Sequence, residues 1–344
     1  MNSLVAILIP TMNRVAYLKR QLDYYSSLES KHPIYVGDSS NYEISQEIQK
    51  VINGYKNLKI VYNYLPNMNP REVNNFLSIN STERYVAFCG DDDFLVPSGL
   101  DACARFLDAD SSYVSAQGAS LIFELEEECI CRGRIGGISN YWGQPQEIAF
   151  SSADRLLNFS RKYWVPLFSV TRREIFIKAS SHDKLKDFKW DSELINSFDL
   201  VALGRSMYID CAYMLRETHA TRIQQKNFYD WIITPEFISG AEYFMERIKN
   251  RMIIDVDSEI MSEKISKEIL KNYLRQCSTS SSEKSTKSIW LSIQKFKAFI
   301  KNLFFKIANI YPGGRFIVVK NKKISRKYFN EFNLIFKVVQ MRDV

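Results

Sequence analysis

Residues 85–97 read Tyr85-Val-Ala-Phe-Cys-Gly-Asp91-Asp92-Asp93-Phe-Leu-Val-Pro97, a short apolar run followed by three consecutive carboxylates and, soon after, a proline. Adjacent carboxylates repel one another, and a divalent cation offsets that repulsion. Sites for Mg²⁺ use one or two carboxylates and complete their coordination with water and phosphate oxygens. The run therefore predicts a strand that ends at a metal-diphosphate site. A solvated acidic turn is the alternative interpretation.

Strand and helix patterns alternate on the amino-terminal side of this run. Leu4–Ile9 is continuously apolar, as expected of a strand buried on both faces of a parallel sheet. A helical pattern follows over Thr11–Leu28, with apolar residues three or four positions apart. Ile34–Asp38 and Leu58–Tyr64 are strand-like, and further helical segments follow each of them. This alternation predicts a doubly wound α/β sheet.

Several polar residues fall where the predicted strands end. Ligands of doubly wound sheets bind beyond the carboxyl ends of the strands, so the topology gathers Thr11, Asp38 and residues 91–93 along one crevice. The first turn, Pro-Thr-Met-Asn-Arg, contains no glycine, so the phosphate-cradling loop of dinucleotide-binding folds is missing. If a phosphate group binds here, we expect a metal ion to hold it.

Length and composition fit one large domain with an appendage, or two domains, within 344 residues. The six cysteines show no disulfide or zinc spacing and indicate reduced thiols. The amino-terminal apolar run lacks the basic segment and cleavage pattern of a signal peptide. No apolar stretch reaches the roughly 18 residues of a transmembrane helix. We expect a cytoplasmic protein, soluble or peripheral on the inner face of the cell membrane.

Three segments carry a family resemblance. Val5-Ala-Ile-Leu-Ile-Pro-Thr-Met-Asn-Arg14, Tyr35-Val-Gly-Asp-Ser-Ser40 and Phe88-Cys-Gly-Asp-Asp-Asp-Phe-Leu-Val-Pro97 resemble, in order and spacing, the motifs of family 2 nucleotide-sugar glycosyltransferases. The resemblance implies a GT-A type fold, a doubly wound (Rossmann-like) mixed sheet with a helical carboxyl-terminal extension. It also implies transfer of a sugar from a nucleotide-sugar donor. Gly90 departs from the commonest family pattern, Asp-x-Asp-Asp, in which an acid stands at that position.

The resemblance implies donor-binding roles for particular residues. Pro10, Thr11 and Arg14 would line the nucleoside pocket, and Asp38 would accept a hydrogen bond from the base or the ribose. A later strand resembles the closing strand of the fold and ends with Arg216, which could pair with phosphate oxygens.

The metal site is expected at the acidic triplet. Asp91, Asp92 and Asp93 occupy the DxD region, which would hold Mn²⁺ or Mg²⁺, and Gly90 leaves open which of the three contacts the metal. Asp91 and Asp92 are also expected to bind the donor. We take Asp93 as the first ligand and Asp91 as its partner, because residues two apart lie on the same side of an extended chain. His219 is the candidate third ligand, although a lone histidine is more often an ordinary surface or core residue.

The catalytic base is expected at an acidic pair that follows a strand ending in Arg172 and Arg173. An inverting transfer needs a carboxylate that accepts the proton of the acceptor hydroxyl. Asp191 and Glu193 stand where the family places this base, and either fits. Asp191 has the alternative role of an N-cap or first-turn acid. The neighbouring Trp190 would stack on a sugar or simply be buried.

The carboxyl-terminal third divides by composition. We assign residues 1–220 to the catalytic domain, 221–277 to a helical extension and 278–288 to a Ser-rich linker. Residues 289–311 form a basic amphipathic pattern that suits a helix in a membrane interface, and equally a helix docked on the protein's own core or a coiled-coil partner. Residues 312–344 are a basic tail.

Together with these patterns, the resemblance implies a metal-dependent glycosyltransferase, and the resemblance alone implies inversion. Its donor would be a nucleotide sugar, and its acceptor a glycan or a lipid-linked glycan in bacterial surface polysaccharide synthesis. The alternative is a non-catalytic scaffold of the same fold that binds a glycan or a nucleotide. A nucleotidyltransferase is disfavoured because the first turn lacks a glycine-rich basic loop. No nucleic acid partner is expected.

Overall fold

The structure is a computed structural model that describes residues 4–126, 131–141, 143–219, 226–252, 256, 258–285 and 327–340. In this part of the chain, nine strands form one mixed sheet. The strands are β1 (Val5–Thr11), β2 (Ile34–Asp38), β3 (Ile60–Tyr64), β4 (Tyr85–Phe88), β5 (Phe94–Leu95), β6 (Tyr113–Leu125), β7 (Ile135–Asn140), β8 (Val170–Arg172) and β9 (Arg205–Glu217).

The order of the strands creates a crevice at the centre of the sheet. The order is β3-β2-β1-β4-β8-β6-β9-β5, with β7 paired to β6. Strands β1 to β4 are parallel, whereas β8 is antiparallel to both β4 and β6. The chain leaves β1 on one side to form β2 and β3, and then crosses to β4 on the other side. The carboxyl ends of β1 and β4 therefore flank a topological switch point, where such sheets bind ligands.

Helices cover both faces of the sheet and form a separate layer at one end. They are α1 (Val15–Ser27), α2 (Tyr42–Asn53), α3 (Pro70–Asn80), α4 (Pro97–Ala109), α5 (Ser152–Arg161), α6 (Arg173–Ser180), α7 (Ile195–Leu203), α8 (Phe228–Ile232), α9 (Pro235–Met252), α10 (Glu259–Ser285) and α11 (Phe329–Gln340). A short 3₁₀ turn spans Pro166–Phe168, and a π-helical turn, Trp190–Leu194, leads into α7.

The first strand and helix form as their hydrophobic patterns predict. Residues 5–9 of β1 are fully buried, because helices cover both faces of the sheet. Helix α1 buries Leu18, Leu22 and Tyr25, which lie on one face at a spacing of three or four residues. Both elements bring the turn between them to the switch point.

A second core joins the helical layer to α5 and α7. Trp190 is 1% exposed and packs against the rings of Trp231, Phe237 and Phe244. Gly240 permits this packing, because a Cβ atom there would lie 2.1 Å from the indole ring. Trp190 is therefore a core residue, and its buried ring is not accessible for stacking on a sugar.

Helix α10 continues into the predicted linker. It ends at Ser285, so the part of the segment 278–288 that the structure describes is helical. The hydroxyl groups of Ser278 and Thr279 both donate to the carbonyl of Arg275 one turn earlier, which gives these side chains partners within the helix. Composition alone predicted a linker there, because serine is as typical of linkers as of such helix ends.

The described part of the predicted basic tail is an apolar helix. In α11, Phe332, Ile335, Phe336 and Val339 are all fully buried, and they recur at helical spacing. Phe336 meets Phe123 of β6 edge to face, with ring centroids 6.3 Å apart. Six of the eight lysines and arginines of 312–344 precede residue 328, so the average composition of the segment concealed the apolar helix.

The predicted helix at 289–311 lies outside the described residues. Among the helices that the structure does describe, none combines the length and the apolarity that a membrane crossing requires.

Candidate active site

The ends of β1, β2 and β4 meet at the switch point. Pro10 and Thr11 pair in register with Gly37 and Asp38 across the β1–β2 ladder. The hydroxyl of Thr11 donates a 2.8 Å hydrogen bond to Oδ2 of Asp91, which follows β4. The sheet thus brings together side chains that are about 80 residues apart, as the sequence predicted.

The three aspartates point in different directions because they form a turn. The N–H of Asp93 donates to the carbonyl of Gly90 across 3.1 Å, which closes the turn. A Cβ atom at Gly90 would lie 2.7 Å from Oδ1 of Asp92, so the tight turn favours glycine where the family pattern has an acid. The expectation that Asp91 and Asp93 share one side of an extended chain is therefore wrong.

Asp93 is directed into the protein, towards β9. Its Oδ2 lies 3.2 Å from Nε of Arg216, and its Oδ1 accepts a 3.1 Å hydrogen bond from the N–H of Glu217. The carboxylate is only 2% exposed. Arg216 also donates to the hydroxyl of Tyr141. Asp93 thus fixes the end of β9 against the acidic turn.

Asp92 is the acid that meets His219. Its Oδ2 lies 2.8 Å from Nε2 of His219 and 3.1 Å from Nη2 of Arg14. Nη1 of Arg14 lies 2.6 Å from Oδ1 of Asp91, so the guanidinium bridges two carboxylates. The phenol ring of Tyr17 supports this cluster, because it stacks with both Arg14 and His219.

The protonation equilibria of the two acids diverge. Burial raises the pKa of Asp91 to about 7, although the positive charge of Arg14 opposes the shift. Burial also opposes ionisation of Asp92, but the hydrogen bond from His219 and the charge of Arg14 outweigh it and hold the pKa of Asp92 below its ordinary value. Asp92 is therefore the more readily ionised of the two.

Two polar residues of α1 support the acidic turn from below, and the sequence interpretation did not include them. Arg20 is fully buried, pairs with Glu217 at 2.6 Å and donates to the carbonyl of Asp92. Gln21 donates to the carbonyls of Gly90 and Asp93, at 2.9 and 2.7 Å. The sequence did contain a signal for their burial, because Arg20 and Gln21 stand between the core residues Leu18 and Leu22.

Asp38 lies at the end of β2 and is fully buried. Its Oδ1 accepts a hydrogen bond from the N–H of Ser40, and its Oδ2 accepts one from the hydroxyl of Tyr62, both at 2.8 Å. The hydrogen bond to Asp38 and burial together raise the pKa of Tyr62, with burial the larger effect. Asp38 therefore has an ordered position beside Thr11, and each of its carboxylate oxygens keeps a second lone pair.

The acidic pair at 191 and 193 is divided between two environments. Asp191 is 1% exposed, and its carboxylate accepts from the guanidinium of Arg71, the amide of Asn69 and the N–H of Leu185. These partners belong to the start of α3 and to the loop before the π-helical turn. Asp191 is thus bound within an interface between elements.

Glu193 lies on the other side of the π-helical turn and is half-buried. The hydroxyl of Tyr163 donates to its Oε1 across 2.9 Å. The charge of Glu193 is close enough to Arg216 to contribute to the raised pKa of that guanidinium, after the opposing effect of burial and the larger effect of Asp93. Glu193 therefore contacts Tyr163 and lies within electrostatic range of Arg216 at the end of β9.

The side chains that meet at this site suit a metal ion that takes only two ligands from the protein. Within the described ranges, no three Asp, Glu, His or Cys side chains gather as a metal site, so the predicted set Asp93, Asp91 and His219 is not assembled. Asp92 and His219 do meet. The carboxylate suits Mn²⁺ or Mg²⁺ when a diphosphate and water supply the remaining ligands, and the imidazole favours Mn²⁺ over Mg²⁺, which takes oxygen ligands.

Comparisons with known proteins agree with this architecture. No protein-family model and no curated protein matches the chain. Among solved structures, S. aureus TarS 1–349 in complex with UDP-GlcNAc is similar with a TM-score of 0.52 and 15% identity, over 97% of this chain and 90% of that one. A longer TarS chain gives a TM-score of 0.51 and 14% identity, again over 97% of this chain but 55% of that one. The chain therefore has the predicted GT-A glycosyltransferase fold.

Proposed function

We propose that the protein transfers a sugar from a nucleotide-sugar donor to a glycan or lipid-linked glycan acceptor. The observation that carries the proposal is the convergence of Arg14, Asp92 and His219 at the switch point of a GT-A sheet, with Arg216 paired to the adjacent Asp93. Two guanidinium groups and a cation-binding pair suit a diphosphate, and Thr11 and Asp38 line the adjoining strand ends.

UDP-sugars are the first donors to test. TarS, which has the same fold, has been solved in complex with UDP-GlcNAc. In this chain Asp38 and Thr11 occupy neighbouring register positions beside the acidic turn, and they offer a carboxylate and a hydroxyl to a base or a ribose.

In the proposed reaction, Glu193 accepts the proton of the acceptor hydroxyl as its oxygen attacks the anomeric carbon. Tyr163 donates to Glu193 and fixes the direction of its carboxylate. Arg216 holds a phosphate oxygen of the departing nucleoside diphosphate, and Asp93 orients that guanidinium. A divalent cation held by Asp92 and His219 would offset the charge of the leaving diphosphate. Attack from the face opposite the diphosphate gives inversion.

A non-catalytic scaffold is the second candidate. The saturated hydrogen bonding of Asp191 favours it in part, because one of the two candidate bases already has a structural role. Incubation with UDP-GlcNAc, Mn²⁺ and a panel of glycan acceptors separates the two functions. An enzyme releases UDP in proportion to acceptor, whereas a scaffold binds the nucleotide sugar and leaves it intact.

The cellular setting belongs to the same proposal. A lipid-linked acceptor in bacterial surface polysaccharide synthesis would require the protein to work at the cytoplasmic face of the membrane. The basic segment at 289–311, which lies outside the described residues, supplies apolar and lysine side chains for such a surface. Vesicle flotation with anionic and neutral lipids tests this association.

A further inference from the structure

The Arg14 guanidinium lies against the same two atoms that could hold a metal ion. Its Nη2 is 3.1 Å from Oδ2 of Asp92 and 3.0 Å from Nε2 of His219, while those two atoms are 2.8 Å apart. A single Nε2 cannot donate to Asp92 and accept from Arg14 at once, so the three groups compete for one hydrogen-bonding position. Nη1 ties the same guanidinium to Asp91.

A guanidinium and a divalent cation exclude each other at this position. Both are positively charged, and both would require the same lone pairs of Asp92 and His219. The arginine is well held by its protein partners, since two carboxylates surround it and the Tyr17 ring lies 4.1 Å from its Cζ. Mn²⁺ alone must therefore displace an ion pair before it can bind.

The side chain of Arg14 is nevertheless free to change partners through the crevice. It is 27% exposed, whereas the Asp91 side chain is 5% exposed. The backbone beside it is fixed, because Asn13 has a φ of 57° and its N–H donates to Ser40 across 2.7 Å. A rearrangement therefore involves rotation of the arginine side chain. A diphosphate offers the guanidinium two oxygens in place of the carboxylates.

We propose that Arg14 occupies the cation position of Asp92 and His219 in the nucleotide-free protein and leaves it when a diphosphate arrives. The cation and the nucleoside diphosphate then bind together, and the protein without nucleotide binds the cation weakly. This inference rests on the proposed function only for the identity of the diphosphate ligand. The competition between Arg14 and a cation stands on the contacts alone.

The test measures Mn²⁺ binding to the full chain without any nucleotide, from the electron paramagnetic resonance signal of free Mn²⁺. We expect Arg14→Gln to bind Mn²⁺ at least tenfold more tightly than the unmodified protein. The double variant Arg14→Gln with Asp92→Asn should lose that gain. Arg216→Gln is the matched control, because it removes an equal charge from the same cluster and leaves Asp92 and His219 paired with Arg14. Circular dichroism melting confirms that each variant is folded.

A second titration adds UDP at a fixed Mn²⁺ concentration. In the unmodified protein UDP should increase Mn²⁺ affinity, and in Arg14→Gln the increase should be smaller, because the cation position is already open. Equal or weaker Mn²⁺ binding by folded Arg14→Gln overturns the inference, as does an equal gain in Arg216→Gln. Failure of every nucleotide to bind would instead refute the proposed function, since the Mn²⁺ measurement needs none.

Discussion

The guanidinium of Arg71 pairs with Asp191, with Nε 3.2 Å from each carboxylate oxygen. Both side chains are buried, at 6% and 2% exposure. The pair joins the start of α3, close to the carboxyl end of β3, to the π-helical turn that carries Glu193. A π-helical turn inside a helix often marks a functional site. Asp191 thus fixes the turn that carries Glu193, and Glu193 remains as the acid of the pair without such an interface role.

Replacement of Asp191 tests whether this residue is structural while Glu193 is the candidate base. Asp191→Asn keeps the shape of the side chain but leaves the buried charge of Arg71 without a counter-ion. We expect the free energy of unfolding to fall by about 2–4 kcal/mol, as for other broken buried pairs. Denaturant unfolding followed by circular dichroism measures it. Asp183→Asn, an exposed acid of the same loop, is the control and should change little. Unchanged stability with lost turnover would make Asp191 a reacting group.

Replacement of Glu193 tests the proposed base. Glu193→Gln preserves size and the contact with Tyr163 but cannot accept a proton. We expect kcat to fall by about 10²–10⁴-fold, the usual contribution of a general base, while calorimetry shows unchanged binding of UDP. Glu174→Gln, at an exposed position of α6, should retain full activity. Undiminished turnover by Glu193→Gln would remove this residue from the mechanism.

Asp92 and Asp93 point in different directions from the acidic turn, so we expect their replacement to have different consequences. Asp92→Asn removes the carboxylate that meets His219, and we expect the Mn²⁺-dependent part of UDP binding to weaken at least about tenfold. Asp93→Asn removes the buried partner of half-buried Arg216, so it should lower the free energy of unfolding by about 1–3 kcal/mol and keep the Mn²⁺ dependence. Calorimetry and denaturant unfolding of both variants measure the pattern. The reverse pattern would favour Asp93 as the metal ligand.

Glu147 predicts a pH dependence of stability away from the site. Burial raises its pKa to about 7, although Arg155 and Lys162 oppose the shift. Between its ordinary pKa and pH 7 the folded state holds a proton that the unfolded state has lost, so stability falls as the pH rises through this window. Glu147→Gln should therefore be more stable than the unmodified protein by about 1–3 kcal/mol at pH 8, and nearly equal to it at pH 4.

Denaturant unfolding at both pH values measures the effect of Glu147→Gln. Comparison of the two proteins at each pH cancels the titration of every other group. Glu124→Gln, at an exposed position of β6, is the control and should show no such difference. A stability difference between Glu147→Gln and the unmodified protein that does not vary with pH would contradict the expected burial of the carboxyl.

The sequence predicts the fold well where one periodic pattern decides each element. The apolar run of β1 and the helical spacing in α1 are local signals, and the structure buries both as expected. Strand order follows from alternation and topology, so the meeting of Thr11 with Asp91 is predictable without any contact information. The helical structure of residues 278–285 and of α11 was not predicted, because the average composition of a segment conceals a helical face or a helix end.

The orientation of side chains at the site required the structure. Alternation along an extended chain predicts that Asp91 and Asp93 act together, but the turn closed at Gly90 separates them. Asp191 and Glu193 are equally plausible in sequence, and only the contact with Arg71, 120 residues away, assigns one of them to an interface. Such contacts depend on three-dimensional packing and leave no local pattern.

The most direct test of the central claim is calorimetric titration of the full chain with UDP, GDP, CDP and dTDP, each with and without Mn²⁺. A nucleotide-sugar site predicts that at least one nucleoside diphosphate binds more tightly with Mn²⁺, and that Asp92→Asn loses this enhancement. If no nucleoside diphosphate binds under either condition, the crevice between β1 and β4 is not a donor site, and the account of the protein as a glycosyltransferase is contradicted.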